Sequence, residues 1–318
     1  MEIMVARVLV TGANGFIGAQ LCPLLESRGM EVVRATRLNA GDLTDSCDWR
    51  PLLEGVDGVV HLAARVHVLR ENLSLPLERF RQVNVHATAH LARQAAQMGV
   101  KRFVFASTIG VLGVNTNGIP FTESHPAAPV NDYARSKWEA EQALTQISQE
   151  TGLEVVTIRP PLVYGAGVKA NFYMLMRAVE ERLPLPLASI RNKRDMIYVG
   201  NLVDAMHRCL IHPNAAGQTF VIADGRTVST PDLMRMIAHY MDKKIHLLPC
   251  PSALLNLGGT LLGKSAMVHR LTGSLEVSAT HLRHSLDWHP PYSIEAGLEH
   301  TVQWFMQERA RLTHTSRS

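Results

Sequence analysis

Two hydrophobic periods alternate through the first half of the chain. Arg7-Val-Leu-Val-Thr11 is a short β-rich run closed by glycines, and the segment 16–28 then carries Ile17, Leu21, Leu24 and Leu25 at helical spacing. The strand pattern returns at 31–35, 58–62, 102–107 and 154–159, with amphipathic helices predicted between several of them, notably over 80–97 and 134–151. The runs VLV, VVH, FVFA and VVTI are continuously apolar rather than alternating, so each predicts a strand buried on both faces. Such strands, alternating with helices, predict an α/β fold in which a doubly wound parallel sheet is sandwiched by helices over residues 1–165. Past Pro160-Pro161 the alternation gives way to short elements punctuated by Gly165, Gly167, Pro184, Pro186, Pro213, Pro249 and Pro251. That change predicts a smaller, mostly helical second domain over 166–318, ending in a polar tail expected to fray from Thr313. No internal repeat is visible, which excludes solenoids.

Composition narrows the class. The chain has 318 residues, 46% of them hydrophobic and 19% charged, which fits a globular protein and excludes disorder or a fibre. The formal net charge of +4 is spread without a block of like sign, so it does not point to nucleic acid. Cys22, Cys47, Cys209 and Cys250 stand far apart with no CxxC or CxxH spacing, predicting neither a zinc site nor a disulfide framework and suiting a reducing cytoplasm. The fifteen histidines form no HExxH pattern, and no metal is expected. The start of the chain lacks the charged and apolar regions of a signal peptide. The longest uncharged apolar stretch, 247–263, is broken by Pro249, Pro251 and Gly258-Gly259 and is shorter than the roughly 20 residues of a membrane span. It reads as a core helix or one lying at a membrane interface.

Three motifs carry chemistry. Thr11-Gly12-Ala-Asn14-Gly15-Phe16-Ile17-Gly18 stands where the first strand hands over to the first helix. The turn needs Gly12, backbone approach to a pyrophosphate needs Gly15, and Gly18 lets helix and strand pack closely, with the anion at the helix N-terminus. The spacing is GxxGxxG, and in this context it predicts a Rossmann-type dinucleotide site. Tyr133-Ala-Arg-Ser-Lys137 opens a predicted helix and puts a phenol and an ammonium on one face, where the cation would favour phenolate and lower the tyrosine pKa. Finally, Ser107 and Thr108 end a buried strand 25 residues before that tyrosine, on the side of an open sheet where ligands gather.

Taken in series, these motifs resemble the extended short-chain dehydrogenase/reductase family, its NAD-dependent epimerases and dehydratases. The resemblance also rests on Gly41-Asp42-Leu43, His61-Leu62-Ala63-Ala64, Asn84, Arg159-Pro160-Pro161, Val163-Tyr164-Gly165 and Arg194-Asp-Met-Ile-Tyr-Val199, and it covers nearly the whole chain. It is nearest to bacterial reductases and epimerases acting on UDP-N-acetyl-6-deoxyhexosamines such as quinovosamine and fucosamine, used in O-antigen assembly. The resemblance implies that Thr108, Tyr133 and Lys137 are catalytic, with Tyr133 exchanging a proton at the sugar C4 oxygen and Lys137 holding the nicotinamide ribose. It implies cofactor contacts from Gly12, Asn14, Gly15, Phe16, Ile17, Gly18, Asp42, Leu43, Leu62, Ala63, Ala64, Asn84 and Pro160. Substrate contacts would come from Arg65, Ser107, Thr108, Tyr133, Asn171 and Arg194, with Arg194 gripping the diphosphate and His67 beside Arg65. His61 reads as structural. Residues 166–318 would bind the nucleotide sugar, with 194–210 packing back on the first domain, and a homodimer is compatible with the family.

Two features bear on the reaction. Family dehydratases place an acid and a carboxylate directly after the catalytic threonine, whereas Ile109 and Gly110 follow Thr108 here, which argues against dehydration. The second strand ends in Arg34, Thr36 and Arg37 with no acid for a ribose 2′-hydroxyl, so NADP(H) is favoured and NAD(H) is the alternative. The expectation is therefore reduction of a UDP-4-keto-6-deoxy-N-acetylhexosamine. The runner-up is a UDP-hexose 4-epimerase holding NAD tightly, and a different class is a non-catalytic dinucleotide-binding redox sensor, which would not need the Tyr133/Lys137 pair.

Overall fold

The computed structural model describes residues 2–66, 76–261, 263 and 265–315. Six strands, β1 (Arg7–Thr11), β2 (Glu31–Ala35), β3 (Gly58–His61), β4 (Arg102–Ala106), β5 (Glu154–Arg159) and a sixth strand discussed below, form one parallel sheet. Its order from the edge is β2-β1-β3-β4-β5 followed by the sixth strand, and all five pairings are parallel. This is the doubly wound Rossmann arrangement read from the apolar runs. β1 has β2 on one side and β3 on the other, so the chain reverses direction there and leaves a crevice beyond the carboxyl ends of β1 and β3.

The two faces of the sheet show why the strand runs are uninterrupted. Val8 and Val10 of β1 and Val104 of β4 face a cluster with Leu21 and Leu25 of the helix Gly18–Ser27 and Leu202 and Met206 of the helix Val199–Ile211. Leu9, Phe103 and Phe105, one residue out of phase, face a second cluster with Leu91 and Ala95 of the helix Ala87–Gln97 and Ala140 and Leu144 of the helix Asp132–Thr151. Each apolar side chain buried this way contributes about 1.5 to 3 kcal/mol, and period two delivers alternate residues to opposite layers. The helix Asp132–Thr151 is fixed at both ends: Asn131 Oδ1 accepts from Ala134 N at 2.8 Å, and Gly152 closes it in the left-handed conformation, φ +76°.

Past residue 160 the chain is less purely helical than its punctuation predicts. β6 (Leu162–Tyr164) pairs with β7 (Met196–Tyr198) in a separate parallel ribbon, and β8 (Thr219–Val221) is the sixth strand, added to the main sheet beside β5. Three residues each are too few to show a period. The helix Val199–Ile211 follows β7 directly and packs on the helix Gly18–Ser27. The last helix, Ile294–Thr315, includes Thr313 to Thr315, where the polar sequence predicts fraying. No helix among the described residues is long and apolar enough to cross a membrane.

Candidate functional site

The glycine-rich turn is built as a backbone surface with no room for side chains. Gly12 has φ +68°, and a Cβ on it would lie 2.9 Å from Ala63 N. A Cβ on Gly18 would collide with the Gly12 carbonyl and stand 2.7 Å from Ala13 Cα, while Gly15 N donates to Gly12 O at 2.9 Å to close the turn. This cradle opens into a cavity of about 1250 Å³, walled by Gly12, Asn14 and Gly15, by Arg37, Asp42 and Leu43 after β2, and by Ala63, Ala64 and Arg65 after β3. Arg65 Nε is buried on that wall without a hydrogen-bond partner. Bare glycines, a helix N-terminus and an unsatisfied guanidinium donor fit a dinucleotide. Gly18→Ala is expected to abolish dinucleotide binding and lower the melting temperature, because its clash is with backbone that cannot yield. Dye-monitored melting with and without NAD(H) checks both.

Of the two arginines after the second strand's apolar core, only Arg37 reaches the cavity. Arg34 is held by Glu26 in a two-pronged pair, Nη1 to Oε1 at 2.6 Å and Nη2 to Oε2 at 2.8 Å. Glu26 raises the Arg34 pKa, and both groups are solvent-screened. Arg37 stands 3.5 Å from Asp42, both largely exposed, and Thr36 spends its hydroxyl on Asn39 Oδ1 at 3.2 Å. The clamp of Arg34, Thr36 and Arg37 around a 2′-phosphate, read from the sequence, is therefore not assembled.

The second half of the site lies on the helix Asp132–Thr151. Tyr133, Lys137 and Glu141 succeed one another at one-turn intervals. Lys137 is almost fully buried, its Nζ 4.0 Å from the centre of the Phe105 ring. Burial holds it down at about 7, with the Glu141 carboxylate opposing that shift. Glu141 is paired in turn with Arg159 at the end of β5, Nη2 to Oε2 at 2.6 Å and Nε to Oε1 at 3.1 Å, and it accepts a short bond from the Ser107 hydroxyl. The buried triad ties the ends of β4 and β5 to the helix Asp132–Thr151. The expectation that Lys137 lowers the Tyr133 phenol is corrected here: the phenol is pushed up to about 12, and burial alone is the cause. The ammonium lies over Phe105 instead, and the Tyr133 ring meets Phe80 edge-on at 6.3 Å.

Neighbouring strands complete the wall. Thr108 caps a short turn, its Oγ1 accepting from Gly110 N at 3.2 Å, and Ile109 N is bonded to Pro160 O at 2.9 Å. Asn84 sits buried in a π-turn, Gln82–His86, that interrupts the helix predicted over 80–97. Its amide accepts from Arg65 N at 2.8 Å, donates to Arg65 O at 3.0 Å and to Ser136 Oγ at 2.9 Å, joining the segment after β3 to the Tyr133 helix. His61, expected to be structural, is buried between Thr11 Oγ1 at 2.7 Å and Thr88 Oγ1 at 2.9 Å. Burial, with the Lys137 charge adding to it, holds its imidazole down at about 3, so it is neutral at physiological pH. Leu62, Phe16 and Ile17 pack partly buried on the core, and Phe16 lies against Gly167 beyond β6.

Two substrate-side candidates lie farther along the chain. Asn171 is exposed in the first turn of the helix Ala170–Glu180. Arg194 is half-buried, its Nη1 donating to the carbonyls of Arg270 at 2.8 Å and Gly273 at 3.0 Å, and none of the ion pairs among the described residues includes it. His67 lies outside the described residues. Glu141 is the residue that motif reading missed. Its signal is a second one-turn step beyond Tyr133 and Lys137.

The profile of the NAD dependent epimerase/dehydratase family matches residues 8–223. A UDP-glucose 4-epimerase of Vibrio cholerae is 41% identical over 97% of this chain and 98% of its own. The N-acetyl-alpha-D-glucosaminyl-diphospho-ditrans,octacis-undecaprenol 4-epimerase of Escherichia coli O157:H7 is 28% identical over 94% of this chain and 95% of its own. Among solved structures, MoeE5 in complex with UDP-glucose and NAD superposes with a TM-score of 0.77, at 24% identity, over 96% of this chain and all of that one. The profile match spans the glycine cradle, the Tyr133 helix and the strands through β8, and the chain belongs to the NAD dependent epimerase/dehydratase family.

Proposed function

We propose that the protein is a 4-epimerase of a UDP-sugar, with residues 1–165 holding a nicotinamide dinucleotide and residues 166–318 holding the nucleotide sugar. The observation that supports it is that Thr108 follows the end of β4 and Tyr133 opens a helix whose Ser136 is bonded through Asn84 to Arg65 on the wall of the glycine-lined cavity, in a chain 41% identical to a UDP-glucose 4-epimerase. Bound there, the dinucleotide supplies the hydride acceptor and donor for the sugar C4. Tyr133 acts first as phenolate, taking the C4 hydroxyl proton as hydride leaves C4, and returns that proton to the C4 oxygen as hydride comes back, so the burial that raises its pKa has to be offset for the first step. Thr108 hydrogen-bonds the same oxygen, and Arg194 binds the diphosphate as a charge-assisted donor. Lys137, one turn along the same helix, would stabilise that phenolate by its charge once dinucleotide and sugar are bound.

Reduction of a UDP-4-keto-6-deoxy-N-acetylhexosamine with NADPH is the second reading, and Arg37 on the cavity wall is the feature that favours it. Engagement of Arg34 by Glu26 takes away half of the 2′-phosphate argument and moves the balance to epimerisation. Purified protein is incubated with UDP-glucose and UDP-N-acetylglucosamine, and the C4 epimers are resolved by NMR. A parallel sample receives the UDP-4-keto sugar with NADPH or NADH, followed at the reduced-nicotinamide absorbance. The expected result is an epimer with no net cofactor consumption. Stoichiometric oxidation of NADPH without an epimer would establish the reductase.

Arg37 also makes a prediction about the dinucleotide. If a 2′-phosphate is accepted, Arg37 forms one charge-assisted bond worth about 1.5 to 3 kcal/mol, which is roughly ten- to more than a hundredfold in affinity. Arg37→Ala is then expected to weaken NADPH by that factor and leave NADH unchanged, while Arg34→Ala changes neither. Titration calorimetry of the three proteins measures it.

A further inference from the structure

The helices Ser252–Leu261 and Ser265–Thr272 fold back on each other where Gly259 meets Val268, since a Cβ on Gly259 would stand 2.7 Å from Val268 Cγ2. Leu255 turns to the core. Leu254, Leu257 and Leu261, spaced i, i+3 and i+7 on the first helix, are 58%, 58% and 78% exposed. Met267 on the second helix and Leu248 just before the pair are 45% and 50% exposed. A helix on a protein surface ordinarily turns charged and polar residues to solvent, and this one turns leucines.

The charge pattern of the same segment is equally one-sided. From Lys243 to Leu275 the sequence contains no aspartate or glutamate, while Lys243, Lys244, Lys264 and Arg270 fall within it. Exposed leucines flanked by cations with no acid among them match the interfacial layer of a membrane with negatively charged headgroups. A second copy of the chain is a poorer partner, because it would bring two acid-free cationic segments together. We propose that the surface formed by Leu248, Leu254, Leu257, Leu261 and Met267, with Lys243 and Lys244 just before it in the chain, docks on a membrane carrying anionic lipid. The segment is joined to the candidate site through Arg194, which bonds the carbonyls of Arg270 and Gly273, so docking would set the nucleotide-sugar side of the protein close to the lipid.

The full-length protein is floated through a sucrose gradient with phosphatidylcholine vesicles and with vesicles that also contain phosphatidylglycerol. It is expected to rise with the second and only weakly with the first, and added salt should reduce binding by screening the cations. Leu254→Ser, Leu257→Ser and Leu261→Ser combined should weaken binding by about tenfold or more, with an unchanged melting temperature because these side chains already face solvent. Should that triple variant fail to fold, Lys243→Glu with Lys244→Glu gives the same readout through charge. Failure to bind phosphatidylglycerol vesicles, or binding retained in the folded variants, overturns the proposal. So does a wild-type dimer that the leucine substitutions dissociate, which would make the surface a contact between copies.

Discussion

Tyr133→Phe is expected to lower turnover of the UDP-sugar by about 10² to 10⁴, the usual worth of general acid/base catalysis, while dinucleotide affinity stays within twofold. The substitution deletes one oxygen and keeps the ring, which packs edge-on against Phe80. Stability should therefore change little, and the loss should fall on kcat. Steady-state kinetics beside a dinucleotide binding isotherm separates the two quantities. Near-normal turnover would remove Tyr133 from the proton-transfer role.

Glu141→Leu is expected to have the largest effect on stability. It strips the partner from Arg159, a guanidinium buried at the end of β5, and from the Ser107 hydroxyl at the end of β4. Breaking a buried pair by removing one member costs about 3 to 5 kcal/mol, a large share of the roughly 5 to 15 kcal/mol that holds a folded protein together. Urea denaturation reads the loss. Glu141→Gln keeps the shape and can still accept from Ser107, and it tests the electrostatic part. The Glu141 carboxylate raises the Lys137 pKa against burial, so its neutralisation lets Lys137 lose its proton at lower pH. The alkaline limb of the kcat profile should then begin its fall at lower pH. Lys137→Met, which has no proton to lose, should be slow across the range.

Much of this was legible in the chain. β1, β3, β4 and β5 carry continuous apolar runs because both faces of the sheet are covered there, while the edge strand β2 mixes Glu31 and Arg34 with its valines, and the glycines at 12, 15 and 18 declare a cradle by where they stand between strand and helix. β6, β7 and β8 were not legible, because three residues have no period and their pairing is decided by the tertiary surroundings. Nor was the π-turn at Gln82–His86, where the buried amide of Asn84 is satisfied by Arg65 and Ser136, partners far away in sequence. The cofactor argument shows a different limit. Arg34 and Arg37 look equivalent in the sequence, but Glu26 near the end of the preceding helix pairs with Arg34 and draws it aside. The same distance between sequence and space bears on the Tyr133 phenol: four residues put Lys137 on the same helix face, but its ammonium lies over the Phe105 ring, and burial pushes the phenol pKa up.

The central claim is hydride transfer at C4 of a UDP-sugar, and the most direct measurement follows that hydrogen. UDP-glucose carrying deuterium at C4 is incubated with the protein in ordinary water, and the product is examined by NMR and mass spectrometry. The account predicts a C4 epimer that keeps its deuterium at C4, formed more slowly than from unlabelled substrate. An epimer in which the deuterium has been replaced by hydrogen from water would contradict it, since the C4 hydrogen would then have left as a proton.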